Sequence, residues 1–156
     1  MTPQQLVAAA LVKHAVIATA ESCTGGMVAA AITDISGSSA VFDRGFITYS
    51  NVAKNQMLGV PSNLLETHGA VSEEVAIAMA QGALTHSNAT LAVSITGIAG
   101  PSGGTPTKPV GLVHFSCATK AGQHWHEEMV FKGDRAAIRA AARDHALQML
   151  GKALAG

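Results

Sequence analysis

Ser22 follows closely on an apolar run, Ala15-Val16-Ile17-Ala18, inside the stretch TAESCTGG, residues 19–26. An acid (Glu21), two nucleophile types side by side (Ser22 and Cys23), a hydroxyl (Thr24) and a glycine pair (Gly25, Gly26) are gathered there. With the apolar run as a buried strand and Thr24 capping a helix, the stretch lies at the carboxyl edge of a sheet, where open α/β sheets bind ligands. The N–H groups of a first helical turn have no intrahelical partners and suit an oxyanion or a phosphate. A serine beside such donors is half of an acyl-transfer site. The competing local reading is a glycine-softened turn in which Thr24 is a plain N-cap. Cys23 is the rival nucleophile. It has no histidine base nearby in the sequence and, as the next residue along, should point elsewhere.

A base for Ser22 has to come from another part of the chain, and Lys54 is the candidate. In TYSNVAKNQMLGV, residues 48–60, Tyr49 is expected to end a strand and Asn51 to cap a helix, which puts Lys54 in the first turn. The positive end of the helix dipole disfavours an ammonium there, and a neutral amine is what a general base needs. If Lys54 meets Ser22, the Ser-Lys variant of the nucleophile–base pair is available; otherwise Lys54 is a solvated surface residue. Thr96 ends another expected strand and opens a loop, 97–109, that contains Gly97 and Gly100. So long a loop without regular structure points to ligand binding. Arg135, at the first position of a helix capped by Asp134, can bind a phosphate or carboxylate. Arg139 and Arg143 follow at i+4 spacing and read as a solvated stripe. His124, His126 and His114 could meet across a hairpin, but no acid or cysteine joins them at metal spacing, so no metal site is expected.

The elements that must position these residues can be read from caps, breakers and periodicity. Helices are expected over 3–14, from Thr24 to about Asp34, from Asn51 to Leu58, over 61–68, from Ser72 to about His86, and from Asp134 to about Leu154. Strands are expected over 16–20, 41–49, 91–96, 110–119 and 124–131, the last two joined as a hairpin at 120–123. Trp125, on an alternating strand, is expected to pack. Interleaved strands and helices with a terminal hairpin predict an α/β fold, a three-layer α/β/α sandwich around a mixed β-sheet.

Composition narrows the function. The chain has 156 residues, zero formal net charge and 48% hydrophobic residues, much of that alanine. One domain over 1–156 is expected. With no basic field, non-specific nucleic-acid binding is not expected. No apolar run is long enough for a membrane helix and no basic region precedes residues 2–12, so neither an anchor nor a signal peptide is expected. Two cysteines, Cys23 and Cys117, without CxxC spacing make a reduced cytoplasm the expected compartment. An alanine-rich, low-charge chain is expected to self-associate, as a dimer.

Taken together, TAESCTGG, GSSAVF, GFITYSNVAK with LGV, AVSEEVA, TGIAGPSGG, KPVGLV and the GDR segment at 133–135 resemble the CinA carboxy-terminal domain family, in family order and over nearly the whole chain. The resemblance implies an α/β/α fold and deamidation of nicotinamide mononucleotide to nicotinate mononucleotide and ammonia, within pyridine nucleotide recycling and NAD metabolism. It implies Ser22 as nucleophile, Lys54 as base, Tyr49 as an assisting residue, and Thr96 and Arg135 as substrate contacts, with no metal or organic cofactor. The oxyanion would rest on N–H groups near Thr24, Gly25 and Gly26. The phosphate would rest on Arg135 or on the 97–104 loop, which includes Gly97 and Gly100. A non-catalytic nucleotide-binding domain and an amidase on another amide stay open beside this reading.

Overall fold

The computed structural model describes residues 1–156. The elements run α1 (Pro3–Val12), β1 (Ile17–Glu21), α2 (Met27–Thr33), a 3-10 turn (Ser38–Ala40), β2 (Phe42–Ile47), α3 (Asn51–Leu58), α4 (Ser62–His68), α5 (Glu73–Thr85), β3 (Leu91–Gly97), β4 (Leu112–Thr119), β5 (His124–Val130) and α6 (Arg135–Ala155). Most helix starts carry side-chain caps. Thr2 and Gln5 form a capping box at α1, with Pro3 as the first helical residue. Ser72 and Asp134 accept N–H bonds from Val75 and Ala137 at the starts of α5 and α6.

The sheet order is β2-β1-β3-β4-β5. β1 is parallel to both β2 and β3, while β4 and β5 are antiparallel to their neighbours. The expected mixed sheet in an α/β/α sandwich is what forms. Layer one packs α1, α2 and α6 on Ile17, Val93, Ile95, Val113 and Phe115. Layer two packs α3, α4 and α5 on Ala18, Ala20 and Ala92. Small residues on that second face let the helices come close. Gly82 of α5 lies so near α3 that an added Cβ would be 2.0 Å from the Leu58 carbonyl oxygen. β1 is buried along its whole length, which is why an apolar run leads into it without alternation; Thr19 and Glu21 are the polar residues it buries. No helix is long and apolar enough to cross a membrane.

Several expected boundaries move. The helix expected from Thr24 starts at Met27. The strand expected over 41–49 stops at Ile47, so Tyr49 lies beyond it, and the one expected from 110 starts at Leu112. Trp125 is 39% exposed rather than packed. It sits on β5, the sheet edge, while α6 lies over β3 and β4.

This topology creates a switch point. From the end of β1 the chain passes through α2 in one layer to β2, and from β2 through α3–α5 in the other layer to β3. The carboxyl ends of β1 and β3 therefore border a crevice, the position where open α/β sheets take ligands.

Candidate active site

Ser22 is the first residue after β1. Its N–H donates to Ile95 O of β3 at 2.9 Å, and on the other side Thr48 N–H donates to Glu21 O at 2.8 Å. Pairing thus continues one step past the strands and pins Ser22 between two neighbours. The chain then turns sharply. Gly25 N–H donates to Ser22 O at 3.0 Å, and Gly25 and Gly26 take φ of +57° and +103°, a region that favours glycine. Gly26, not Thr24, is the N-cap of α2.

Glu21 replaces the missing side-chain cap. Its carboxylate accepts N–H bonds from Gly26 (3.2 Å), Val28 (3.0 Å) and Ala29 (3.0 Å). An acid at the positive helix end is the favourable arrangement. Of the N–H groups expected to hold the oxyanion, Gly26 N–H is committed to Glu21 and Gly25 N–H to Ser22 O, while Thr24 N–H has no partner. Thr24 is fully buried, its hydroxyl has no partner, and none of these three residues lines the crevice. The N–H groups of Cys23 and Ala99, like those of Tyr49, Ala70 and Val71, donate to no group in the protein, and all five residues line the crevice.

Lys54 reaches Ser22. Its Nζ lies 3.0 Å from Ser22 Oγ, 2.9 Å from Thr48 O and 3.5 Å from Tyr49 O, and the residue is 1% exposed. Burial pushes the Lys54 pKa from its ordinary 10.5 down to about 8. The helix dipole and a partly desolvated pocket both predict this direction, but Ser50, not Asn51, caps α3. Lys54 is therefore the fourth helical residue, and its own N–H is already bonded to Ser50 O. Desolvation does the work. A neutral amine has two N–H bonds and one lone pair, so donation to the two carbonyls leaves the lone pair for the Ser22 hydroxyl. Burial pushes the Cys23 thiol up to about 11, so Cys23 stays protonated at neutral pH and is a poor nucleophile.

The crevice is about 230 Å3 and is lined by Ser22, Cys23, Tyr49, Asn51, Lys54, Ala70, Val71, Thr96, Gly97, Ala99 and Arg135. Thr96 Oγ1 donates to Ala70 O at 2.9 Å, which ties β3 to the segment before α5. Arg135 spans the mouth. Its guanidinium donates to Gly100 O at 2.8 Å and to the Tyr49 hydroxyl at 2.9 Å. The Tyr49 phenol is thus turned to Arg135, 63% of the residue is exposed, and only the Tyr49 backbone carbonyl faces Lys54. Gly100 touches the site through its carbonyl and does not line the crevice. A larger groove of about 660 Å3 between α1, α2 and α6 holds no serine, cysteine, lysine or histidine.

The structure adds residues that the sequence reading passed over. Arg139 is not a solvated side chain: it donates to Cys23 O at 3.0 Å and Thr24 O at 3.3 Å. Its i+4 spacing from Arg135, already on one helix face with it, was the available signal. Glu21 could have been found as an acid just ahead of a helix start with no capping side chain. His145 packs on Phe115 and bonds Glu127 at 3.1 Å. His114 and His126 do meet, with ring nitrogens 2.8 Å apart and ring centroids 5.1 Å apart. Those distances put the two nitrogens on the line between the rings, so one proton fits between them and a metal ion does not.

A three-layer α/β protein with a buried serine–lysine pair at its switch point has the frame of an acyl-transfer hydrolase. The chain belongs to the CinA C-terminal domain family, whose model matches residues 2–154. It is 54% identical over 147 residues to nicotinamide-nucleotide amidohydrolase PncC of Escherichia coli strain K12, covering 94% of this chain and 89% of that one. It is 55% identical over 149 residues to the Shigella flexneri protein of the same name, with the same coverage. Among solved structures, the competence/damage inducible protein CihA of Agrobacterium tumefaciens superposes with a TM-score of 0.95 at 48% identity, covering 99% of this chain and 93% of that one.

Proposed function

We propose that this chain hydrolyses the carboxamide of nicotinamide mononucleotide, giving nicotinate mononucleotide and ammonia through an acyl-enzyme on Ser22. The observation that carries the reading is the 3.0 Å contact between Ser22 Oγ and a buried Lys54 Nζ whose other contacts are the carbonyls of Thr48 and Tyr49. The names of the relatives supply the substrate class. Ser22 Oγ attacks the amide carbon, made electrophilic by the pyridinium ring, and its proton passes to neutral Lys54. The developing oxyanion takes the free N–H groups of Cys23 and Ala99. Lys54 then returns the proton to the leaving nitrogen, the C–N bond breaks and ammonia departs. Water, deprotonated by Lys54, hydrolyses the ester and frees Ser22. Thr96 and Gly97 border the ring, and Arg135 at the mouth meets the 5′-phosphate. No step calls for a metal or organic cofactor. The same reading makes 1–156 one catalytic domain, active in the cytoplasm as a dimer.

Ammonia release over a panel of pyridine nucleotides and simple amides tests it. Ser22→Ala should lower kcat by about a thousandfold or more while nucleotide binding persists. Near-normal turnover by Ser22→Ala removes Ser22 as nucleophile. Binding without turnover by the wild type makes the chain a nucleotide-binding domain instead.

A further inference from the structure

Arg139 stands outside the lining of the crevice, half-buried on the second turn of α6, and reaches back to the turn that carries Ser22. Nε donates to Cys23 O at 3.0 Å and Nη2 to Thr24 O at 3.3 Å. In a trans peptide the C=O and N–H of one plane point in opposite directions. Holding Cys23 O therefore aims the Thr24 N–H, and holding Thr24 O aims the Gly25 N–H, which donates to Ser22 O at 3.0 Å. Ser22 O shares its peptide plane with Cys23 N–H, so Arg139 reaches that unpartnered donor through Thr24 O and Gly25. The left-handed Gly25 makes room for this contact, since a Cβ there would lie 3.2 Å from Arg139 Nη2. Glu21 grips the N–H side of the same turn, so the turn is held between an anion and a cation.

We infer that Arg139 is a positioning residue for the reaction, fastening two successive carbonyls of the nucleophile turn so that Cys23 N–H stays aimed at the oxyanion. This rests on the acyl-enzyme reading above. Ser22 and Lys54 meet through β1 and α3 and do not need Arg139. What Arg139 governs is the donor that becomes important only as charge develops. Its loss should therefore lower kcat and leave substrate affinity largely as it was. A planar fork with donors at fixed angles suits two adjacent carbonyls, whereas an ammonium keeps only the charge.

The test compares wild type, Arg139→Met and Arg139→Lys by steady-state ammonia release from nicotinamide mononucleotide, with melting temperature measured for each. Expected are a fall in kcat of at least about tenfold in Arg139→Met, KM within about twofold, and partial recovery of kcat by added methylguanidinium. Arg139→Lys, which keeps the charge against the turn and guards against a misfolded methionine variant, should fall between the two. Wild-type kcat in both variants overturns the inference, as does a raised KM with kcat unchanged, which would make Arg139 a substrate contact. If the wild type releases no ammonia, the functional reading falls by that result alone. The comparison is then the rate at which a fluorophosphonate labels Ser22. Labelling about tenfold slower in Arg139→Met supports the positioning role, equal labelling overturns it, and an unlabelled wild-type Ser22 overturns both.

Discussion

The role proposed for Lys54 carries two demands that pull against each other: a lysine must be buried to be a base at neutral pH, and an ammonium resists burial. With its pKa near 8, roughly a tenth of the enzyme holds the free amine at pH 7, against less than a thousandth at the ordinary value. The log of kcat/KM should therefore climb with pH and level off above about 8. A limb that continues to rise past pH 10 would mean a solvated lysine. Lys54→Arg keeps a cation but cannot deprotonate, so it should be nearly as inactive as Lys54→Ala. Substantial activity in Lys54→Arg would reduce the lysine to an electrostatic anchor. Arg135, by contrast, already spends two N–H bonds on Tyr49 and Gly100 and has donors left for a phosphate. Arg135→Ala removes a charge-assisted contact of roughly 1.5–3 kcal/mol, so KM should rise at least about tenfold with a smaller change in kcat. An unchanged KM would place the phosphate elsewhere on the 97–104 loop.

At the scale of elements, the start of α2 is unusual in borrowing its cap from the strand before it. Three N–H groups converge on Glu21, which is itself 1% exposed. Glu21→Gln puts an amide NH2 where only acceptors fit, leaving at least one buried donor without a partner, at about 1–3 kcal/mol. Its melting temperature should fall by several degrees, on the order of 2–4 °C per kcal/mol for a chain of this size. Because the same turn carries Ser22, ammonia release should fall as well. Glu21→Gln with wild-type stability would show that the cap contributes nothing to holding the turn.

For the whole molecule, the buried Lys54 is a stability cost with a definite pH signature. Between about pH 8 and 10.5, the folded and ordinary values of Lys54, the unfolded chain holds a proton that the folded one has lost. The unfolded state binds more protons there, so stability rises with pH across that window. Lys54→Met fills the same volume without the charge. It should be more stable at pH 7 by on the order of 1 kcal/mol, and that advantage should shrink toward pH 10.5. Parallel melting curves of the two proteins at pH 7 and pH 10 decide it, and an advantage unchanged by pH would assign it to packing alone. The dimer is checked at this scale too, by sedimentation at micromolar concentration.

What could be read in the chain without a structure was whatever depends on neighbours in sequence. Strands and helices were legible from periodicity and caps, as with Thr2 and Pro3 at α1 and Asp134 at α6. The alternation of elements was enough for the layered fold, and residue types at strand ends and helix starts were enough to nominate Ser22, Lys54, Thr96 and Arg135. What required the tertiary structure was every choice between competing partners. Thr24 was a reasonable cap by local rule, but Glu21 wins because the end of β1 brings a longer, anionic side chain onto the same N–H groups. Lys54 loses its proton through the crowding of β1, β2 and α3 around it, and no local window contains that burial. Arg139 looked solvated beside Arg143 because helical spacing gives a face but not what the face meets. Its contact with Cys23 spans most of the chain, and only the docking of α6 on the sheet beside α2 brings the two together.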